Sequence, residues 1–222
     1  MKYIYSLSSV IILMLISLTC RKDGKITCTD KNTIQINQHA LDYFYFKEGT
    51  WWVYEEEGTG NQDSVWVSNG NRYFENPWEL KKYCRCNRGK CVETAYMRFE
   101  NAENNMNLNQ QVLYRYKIEA GWQDGEATIS EGSGAYFSAS SIRFEFVNNQ
   151  PKSPTWSGGG VENMKTINIK DEVYENIMHI YYANEDVDDW LQEAWYAKNI
   201  YLVKFRKNDN TTWNLVKYNI VK

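Results

Sequence analysis

The sequence predicts a mainly β protein, an antiparallel meander that forms either a barrel or a strongly curved sheet, with at most one short helix. Aromatic residues make up 15% of the 222 residues and there are only three prolines, a composition that suits the half-buried surface of a sheet. Short apolar segments recur at intervals of roughly 8–15 residues between Gly, Asn and Asp, as in all-β folds. No helical periodicity extends over several turns.

Strands are predicted wherever apolar or aromatic residues run between turn residues. In the first half of the chain they are expected at 51–55, 64–67, 72–74, 80–86, 92–99 and 112–118. In the second half they are expected at 127–130, 141–147, 164–169, 173–182, 195–206 and 213–221. Asn69-Gly70 predicts a two-residue hairpin turn, since both residue types tolerate positive φ. Residues 207–211 predict a turn, residues 186–193 one short helical turn, and residues 148–160 a long loop.

The N-terminus carries a targeting signal. Lys2 precedes an apolar run at 10–18, which is well short of the roughly 20 residues that span a bilayer and is typical of a signal peptide. The run ends at Cys20, which polar residues follow, and this order resembles a bacterial lipoprotein signal. Ser17 and Thr19 replace the usual Leu and small residue, as the looser signals of Bacteroidota-type lipoproteins allow. The alternative is an ordinary signal peptide that happens to contain a cysteine.

The lipoprotein resemblance implies a division of the chain into three parts. Residues 1–19 would be the signal peptide, residues 20–38 the lipidated Cys20 with a polar spacer, and residues 39–222 a single β-rich domain. Arg21, rather than Asp, follows the cysteine, so the outer membrane is the expected location.

Two further segments resemble uncharacterised Bacteroidota-type envelope lipoprotein domains. The segment 43–54, with Tyr43-Phe44, Gly49 and Trp52-Val53-Tyr54, resembles their start, and the segment 196–215 resembles their closing hairpin. The resemblance implies an envelope protein with a β-rich body. It implies no catalytic residue.

Four cysteines follow Cys20. In an exported protein an even number indicates disulfides, and the four-residue link between Cys86 and Cys91 favours a bridge between those two. Cys28 would then pair with Cys84. The alternative is a zinc site, but structural zinc usually has paired Cys-x2–4-Cys motifs, and only half of that pattern is present.

No catalytic or metal-binding motif is found. The sequence has no Gly-x-Ser-x-Gly, no His-Glu-x-x-His and no phosphate-binding glycine loop, so no cofactor or metal is expected. The acidic residues of 185–189 lack the spacing of a calcium loop, because Leu191 stands where Gly is required, and are interpreted as a solvated turn. His39 falls in the spacer, and His179 is expected to be a satisfied, partly buried strand residue.

Tryptophans provide the candidate ligand-binding residues. Those within strand patterns are expected in the core. Trp122 and Trp156 lie in turn-like sequence, where an exposed indole can stack on a sugar or contact an apolar ligand.

These observations predict a non-enzymatic envelope lipoprotein, held to the membrane by lipid, whose domain binds a protein, a glycan or a small apolar ligand. The net charge of −3 and the lack of a basic stripe argue against nucleic acid. One alternative is a structural accessory of an envelope assembly. Another is a polysaccharide or peptide hydrolase, which would need two carboxylates about 5–10 Å apart in a cleft.

Overall fold

The computed structural model describes residues 28–29, 32–75, 91–101, 115–120, 127–131, 143–147, 150–152, 160–181 and 191–221. Within these ranges there is one helix, α1 (Gln38–Phe44). The strands of the first part are β1 (Thr33–Ile34), β2 (Trp51–Glu56), β3 (Gln62–Glu75), β4 (Cys91–Asn101), β5 (Arg115–Ala120), β6 (Ala127–Glu131), β7 (Arg143–Val147) and β8 (Gln150–Lys152). The strands of the second part are β9 (Gly160–Ile169), β10 (Glu172–Tyr181), β11 (Leu191–Ala197), β12 (Tyr201–Lys207) and β13 (Thr212–Asn219).

The thirteen described strands form one mixed sheet. Strands β2 to β8 are a meander in which each strand pairs with the next, and strands β9 to β13 are a second meander. The antiparallel pairing of β2 with β13 joins the two, and β1 adds the one parallel pairing, to β4. The predictions of a mainly β fold and of meander order are therefore confirmed.

The sheet is open, with β8 and β9 at its two ends. The barrel alternative is wrong, because the sheet is not closed, while a curved sheet agrees with the structure. One contact reveals the bending: Lys170, in the β9–β10 turn, pairs with Glu55 of β2 at 2.5 Å. Four strand spacings separate β10 from β2, about 19 Å in a flat sheet. The β9–β10 hairpin must therefore fold back across the sheet.

The bend of this hairpin lies at Asn176, whose φ is 54°. The carbonyl oxygen of Asn176 accepts hydrogen bonds from the hydroxyl of Tyr43 at 3.0 Å and from the backbone N–H of Lys198 at 3.2 Å. Beyond the bend, Ile169 and Tyr174 are buried.

The contact between Lys170 and Glu55 also affects the charge of the carboxyl group. The hydrogen bond that Lys170 donates is the largest cause of a lowered pKa of Glu55.

The predicted hairpin turn at Asn69-Gly70 is wrong. Strand β3 continues through these residues, which pair with Arg98 and Met97 of β4 after a bulge at Ser68. Gly70 is needed for a different reason. A Cβ added there would lie 2.9 Å from the carbonyl oxygen of Phe46. The glycine therefore allows the backbone of residues 46–48 to pass close to β3.

The segment before β2 contains structure that the sequence did not predict. Residues assigned to the polar spacer are part of the domain: Ile34 and Ile36 are buried, and β1 pairs with β4. Helix α1 was not predicted. Of the helical turn predicted at 186–193, residues 186–190 lie outside the described residues, and residues 191–193 belong to β11. Asn37 caps α1 by accepting a hydrogen bond from the N–H of His39 at 2.8 Å, the role for which Asn is preferred.

The strand predicted at 195–206 is in fact two strands. Asn199 adopts a φ of 63° and Tyr201 a φ of 89°, so the chain turns between β11 and β12. By contrast, the turn predicted at 207–211 is confirmed. Strand β8 falls inside the predicted long loop, and its Pro151 lies on an end strand of the sheet, where a proline is tolerated. The strand predicted at 80–86 lies outside the described residues.

An aromatic cluster forms the centre of the core, where the two meanders meet. The ring of Tyr201 lies 5.2–5.6 Å, between centroids, from four other rings, those of Phe46, Trp52, Phe99 and Tyr196. Trp52 donates a hydrogen bond through Nε1 to the carbonyl oxygen of Ile200 at 2.5 Å. The hydroxyl of Tyr54 donates one to the carbonyl oxygen of Leu202 at 2.9 Å. These bonds satisfy polar groups that burial would otherwise penalise.

A disulfide joins Cys28 to Cys91, with Cα atoms 5.6 Å apart. The predicted pairings Cys86–Cys91 and Cys28–Cys84 are therefore wrong, although both bridged cysteines were predicted to be oxidised. The physical reason is the parallel pairing of β1 with β4, which places Thr33 opposite Cys91 and lays the preceding chain beside it. Cys84 and Cys86 lie outside the described residues.

Substituting Gly70→Ala is expected to lower the free energy of unfolding by about 1–3 kcal/mol, because the new methyl group meets a backbone carbonyl. The matched control is Asn69→Ala, an exposed neighbour in β3, expected to cost less than about 0.5 kcal/mol. Urea unfolding measures both. Equal losses would indicate a turn rather than a continuous strand.

Peptide mapping of the unreduced protein is expected to recover Cys28 joined to Cys91. Because the bridge closes a loop of 63 residues, Cys28→Ser is expected to lower the free energy of unfolding by up to about 4 kcal/mol on a chain-entropy model. Cys91→Ser added to Cys28→Ser should cost little more. A large second loss, or a recovered peptide that joins Cys86 to Cys91, would contradict the assignment.

Candidate functional site

One group of charged and aromatic side chains stands on the outer face of the second meander. Residues 178 to 181 of β10 alternate between the two faces of the sheet. Met178 and Ile180 point into the core, whereas His179 and Tyr181 point outward. The register places the outward residues of neighbouring strands in rows. We call the following set the outer cluster: Glu162, His179, Glu193, Trp195, Lys204 and Arg206.

Trp195 is the centre of the outer cluster. The imidazole of His179 stacks on its indole with the ring centroids 4.5 Å apart and the planes only 3° from parallel. The ammonium group of Lys204 lies 5.3 Å from the indole centroid, within the range of a cation–π contact. His179 and Lys204 belong to the two strands that flank β11, so they approach Trp195 from neighbouring strands on either side.

Glu193 connects the cluster by charge. Its carboxylate accepts a hydrogen bond from Nη2 of Arg206 and lies 3.2 Å from Nε2 of His179. The Glu193 side chain is 21% exposed, so the pair is partly shielded from solvent. Such charge-assisted bonds are stronger than neutral ones.

Glu162 approaches His179 from the other side, with Oε2 3.8 Å from Nδ1. The imidazole therefore lies between the carboxylates of Glu162 and Glu193. A hydrolase with two catalytic carboxylates needs that space for its substrate, so this arrangement gives no support to glycoside hydrolysis. The outer cluster is instead suited to contact with a partner that presents polar and aromatic groups.

A second cluster lies where the N-terminal segment meets β3 and β4. The carboxylate of Glu93 is 4% exposed. It accepts hydrogen bonds from the backbone N–H of Ile36 at 2.9 Å and from Arg72 Nε at 2.8 Å. The guanidinium of Arg72 also lies 5.6 Å from the ring centroid of Tyr45. A buried carboxylate with this many partners has a structural role: it fixes the segment before α1 to the sheet.

The structure describes only some of the residues predicted from sequence to be functional. The lipid-attachment candidate Cys20, the ligand-binding candidates Trp122 and Trp156, and the acidic residues of 185–189 lie outside the described ranges. His39 is exposed and outside both clusters. His179 is partly buried, as predicted, and its partners are the carboxylates of Glu162 and Glu193.

The expectation that tryptophans in strands belong to the core is correct in part. Trp52 and Trp213 are buried. Trp195 is only partly buried, and Trp51 is 38% exposed. The missed signal was alternation: in 193–196, polar Glu193 and aromatic Trp195 share one face, while Ala194 and Tyr196 share the buried one.

Neither a metal centre nor a membrane-crossing helix is found in the described part of the chain. No group of three or more His, Cys, Asp or Glu side chains there could hold a metal ion. None of the described helical residues forms a helix long and apolar enough to cross a membrane.

Comparison with known proteins gives no relative. No protein-family model, no curated protein and no solved structure matches the chain. What is established is the class that the fold defines: a mainly β protein with an open mixed sheet, one described helix and a disulfide between Cys28 and Cys91.

Glu193→Gln is expected to lower the free energy of unfolding by about 1–2 kcal/mol, because Arg206 loses its charged partner. Glu162→Gln is the matched control. Its side chain is 66% exposed, so we expect a loss below about 0.5 kcal/mol. Chemical unfolding at neutral pH measures both, and equal effects would show that Glu193 does not connect the cluster.

Proposed function

We propose that the chain is an envelope lipoprotein, attached to the outer membrane through lipid on Cys20, whose β-rich domain is a binding or interaction module. The observation that carries the proposal is the Cys28–Cys91 disulfide. Structural disulfides persist in oxidising compartments and are rare in the bacterial cytoplasm. A bridge so close to the N-terminal targeting signal supports export of the domain.

The position of the bridge supports attachment by the preceding cysteine. Cys28 is eight residues after Cys20, and eight residues of chain reach at most about 28 Å. A lipid on Cys20 would therefore hold the domain close to the membrane surface. Two or three acyl chains would make the attachment durable, since each buried CH₂ contributes about 0.8 kcal/mol.

The outer cluster supports the role of a binding module. Aromatic and arginine side chains are enriched where protein surfaces bind partners, and Trp195 and Arg206 stand together on the outer face of β11 and β12. Cations, carboxylates and an indole in one patch fit a polar partner, a protein or a glycan, better than a small apolar ligand. No observation on the described residues favours the hydrolase alternative.

Metabolic labelling with a clickable fatty acid tests the attachment. The wild-type chain is expected to take up label and remain in the membrane pellet after a carbonate wash. Cys20→Ser is expected to abolish both, whereas Cys28→Ser, a matched change at a nearby cysteine, should leave labelling intact. Label on Cys20→Ser, or an unlabelled wild-type chain, would refute the assignment.

A further inference from the structure

The N-terminal segment enters the sheet at one defined end. Strand β1 runs parallel to β4, with Thr33 opposite Cys91. The residues before Thr33 therefore come from the side on which β4 begins. Strand β3 is antiparallel to β4, with Glu75 opposite Val92, so β3 ends on this side as well. We call this side, defined by Cys28, Cys91 and the last residues of β3, the entry end.

The entry end is fixed to the N-terminal segment by several independent contacts. The disulfide joins Cys28 to Cys91, and the backbone N–H of Cys91 donates to the carbonyl oxygen of Asn32 at 2.7 Å. The buried carboxylate of Glu93 binds the N–H of Ile36. The chain upstream of Cys28 therefore cannot move to another part of the domain without breaking these bonds.

Two large aromatic side chains are exposed at the entry end. Phe74 is 43% exposed and Tyr73 is 44% exposed. Phe74 is opposite Glu93 in the β3–β4 ladder, which places its Cα roughly 8 Å from that of Cys91. Successive strand residues point to opposite faces, so both faces of the strand end present an aromatic ring. Tyr is enriched at the interface of a membrane with water, and Phe is among the apolar residues that segments lying in this interface bury at the boundary of headgroups and acyl chains.

The end of the sheet opposite the entry end lies too far from the anchor to contact the same membrane surface. Gln62, where β3 begins, is up to about 40 Å along the strand from Phe74. The β9–β10 turn is at this far end, because Lys170 pairs with Glu55 and Glu55 is opposite Gln62. Between Cys20 and Cys28 the chain reaches only about 28 Å. Lipid on Cys20 therefore brings the entry end, and not the far end, to the membrane.

We propose that the entry end is a membrane-contacting surface, with Phe74 and Tyr73 inserted among the lipid headgroups beside the anchor. The inference rests on the proposed lipidation of Cys20. The inference goes beyond lipidation, because it states which end of the domain faces the membrane and names the residues that contact the lipid. The domain is then oriented by its attachment rather than free to tumble on a flexible spacer.

Photocrosslinking of the full lipidated chain tests the orientation. The photoreactive residue p-benzoylphenylalanine replaces Phe74 in one variant and Val173 in another, and each protein is bound to vesicles of phosphatidylethanolamine and phosphatidylglycerol. Val173 is the matched control, since it is apolar, 63% exposed and close to the β9–β10 turn at the far end. Lipid adducts are expected at position 74, and none are expected at position 173.

The outcomes separate the inference from the function on which it rests. Adducts at both positions alike, or at position 173 alone, would overturn the orientation while the chain still binds vesicles through Cys20. A lipidated chain that fails to bind vesicles would overturn both proposals. If the variant at position 74 fails to fold, as judged by circular dichroism, the label is placed at Tyr73 with the same expectations.

Discussion

The structure depends on the place of Tyr201 at the centre of the aromatic core. Its φ of 89° is unusual for a bulky residue, and a conformation of this kind costs about 1–3 kcal/mol. The cost is offset because the ring enters a space bounded by aromatic side chains from the N-terminal segment, β2, β4 and β11. Aromatic pairs contribute about 0.5–1.5 kcal/mol each beyond the burial of their area, so four such pairs can hold the strained residue in place.

This packing explains how two meanders form one domain. Trp52 and Phe99 belong to the first meander, and Tyr196 and Tyr201 to the second. Their strands lie on both sides of the β2–β13 pairing, so these contacts connect the two meanders in addition to the backbone hydrogen bonds of that pair. The strained turn before Tyr201 also receives the N-terminal segment, because the N–H of Asn199 donates to the carbonyl oxygen of Asp42 at 2.7 Å. Helix α1 is thereby held against the buried face of the sheet, where the ring centroid of its Phe44 lies 5.0 Å from that of Tyr196.

The sequence located most of the described strands but not the way in which they pair. Segments such as 51–55 and 213–221 are rich in apolar and aromatic residues and border on turn residues, so they could be located within a residue or two. The hairpin turn predicted at Asn69-Gly70 was wrong, because the sequence alone does not distinguish a turn glycine from a glycine that is needed where another part of the chain passes close by. The pairing of Cys28 with Cys91 depends on a two-residue parallel strand, and neither parallel pairing nor its register leaves a local signal. The outer cluster was missed for the same reason, since its members come from four strands.

The two functional proposals are linked by the register of the sheet. A continuous row of paired residues runs from His179 through Trp195, Lys204, Asn214 and Glu55 to Gln62. Gln62 is the start of β3, whereas Phe74 lies near its end. An entry end that faces the lipid therefore turns the outer cluster away from the membrane. A partner approaching from the aqueous side would meet Trp195 and Arg206 without competing with the lipid anchor, so one short disulfide-fixed attachment can serve both roles.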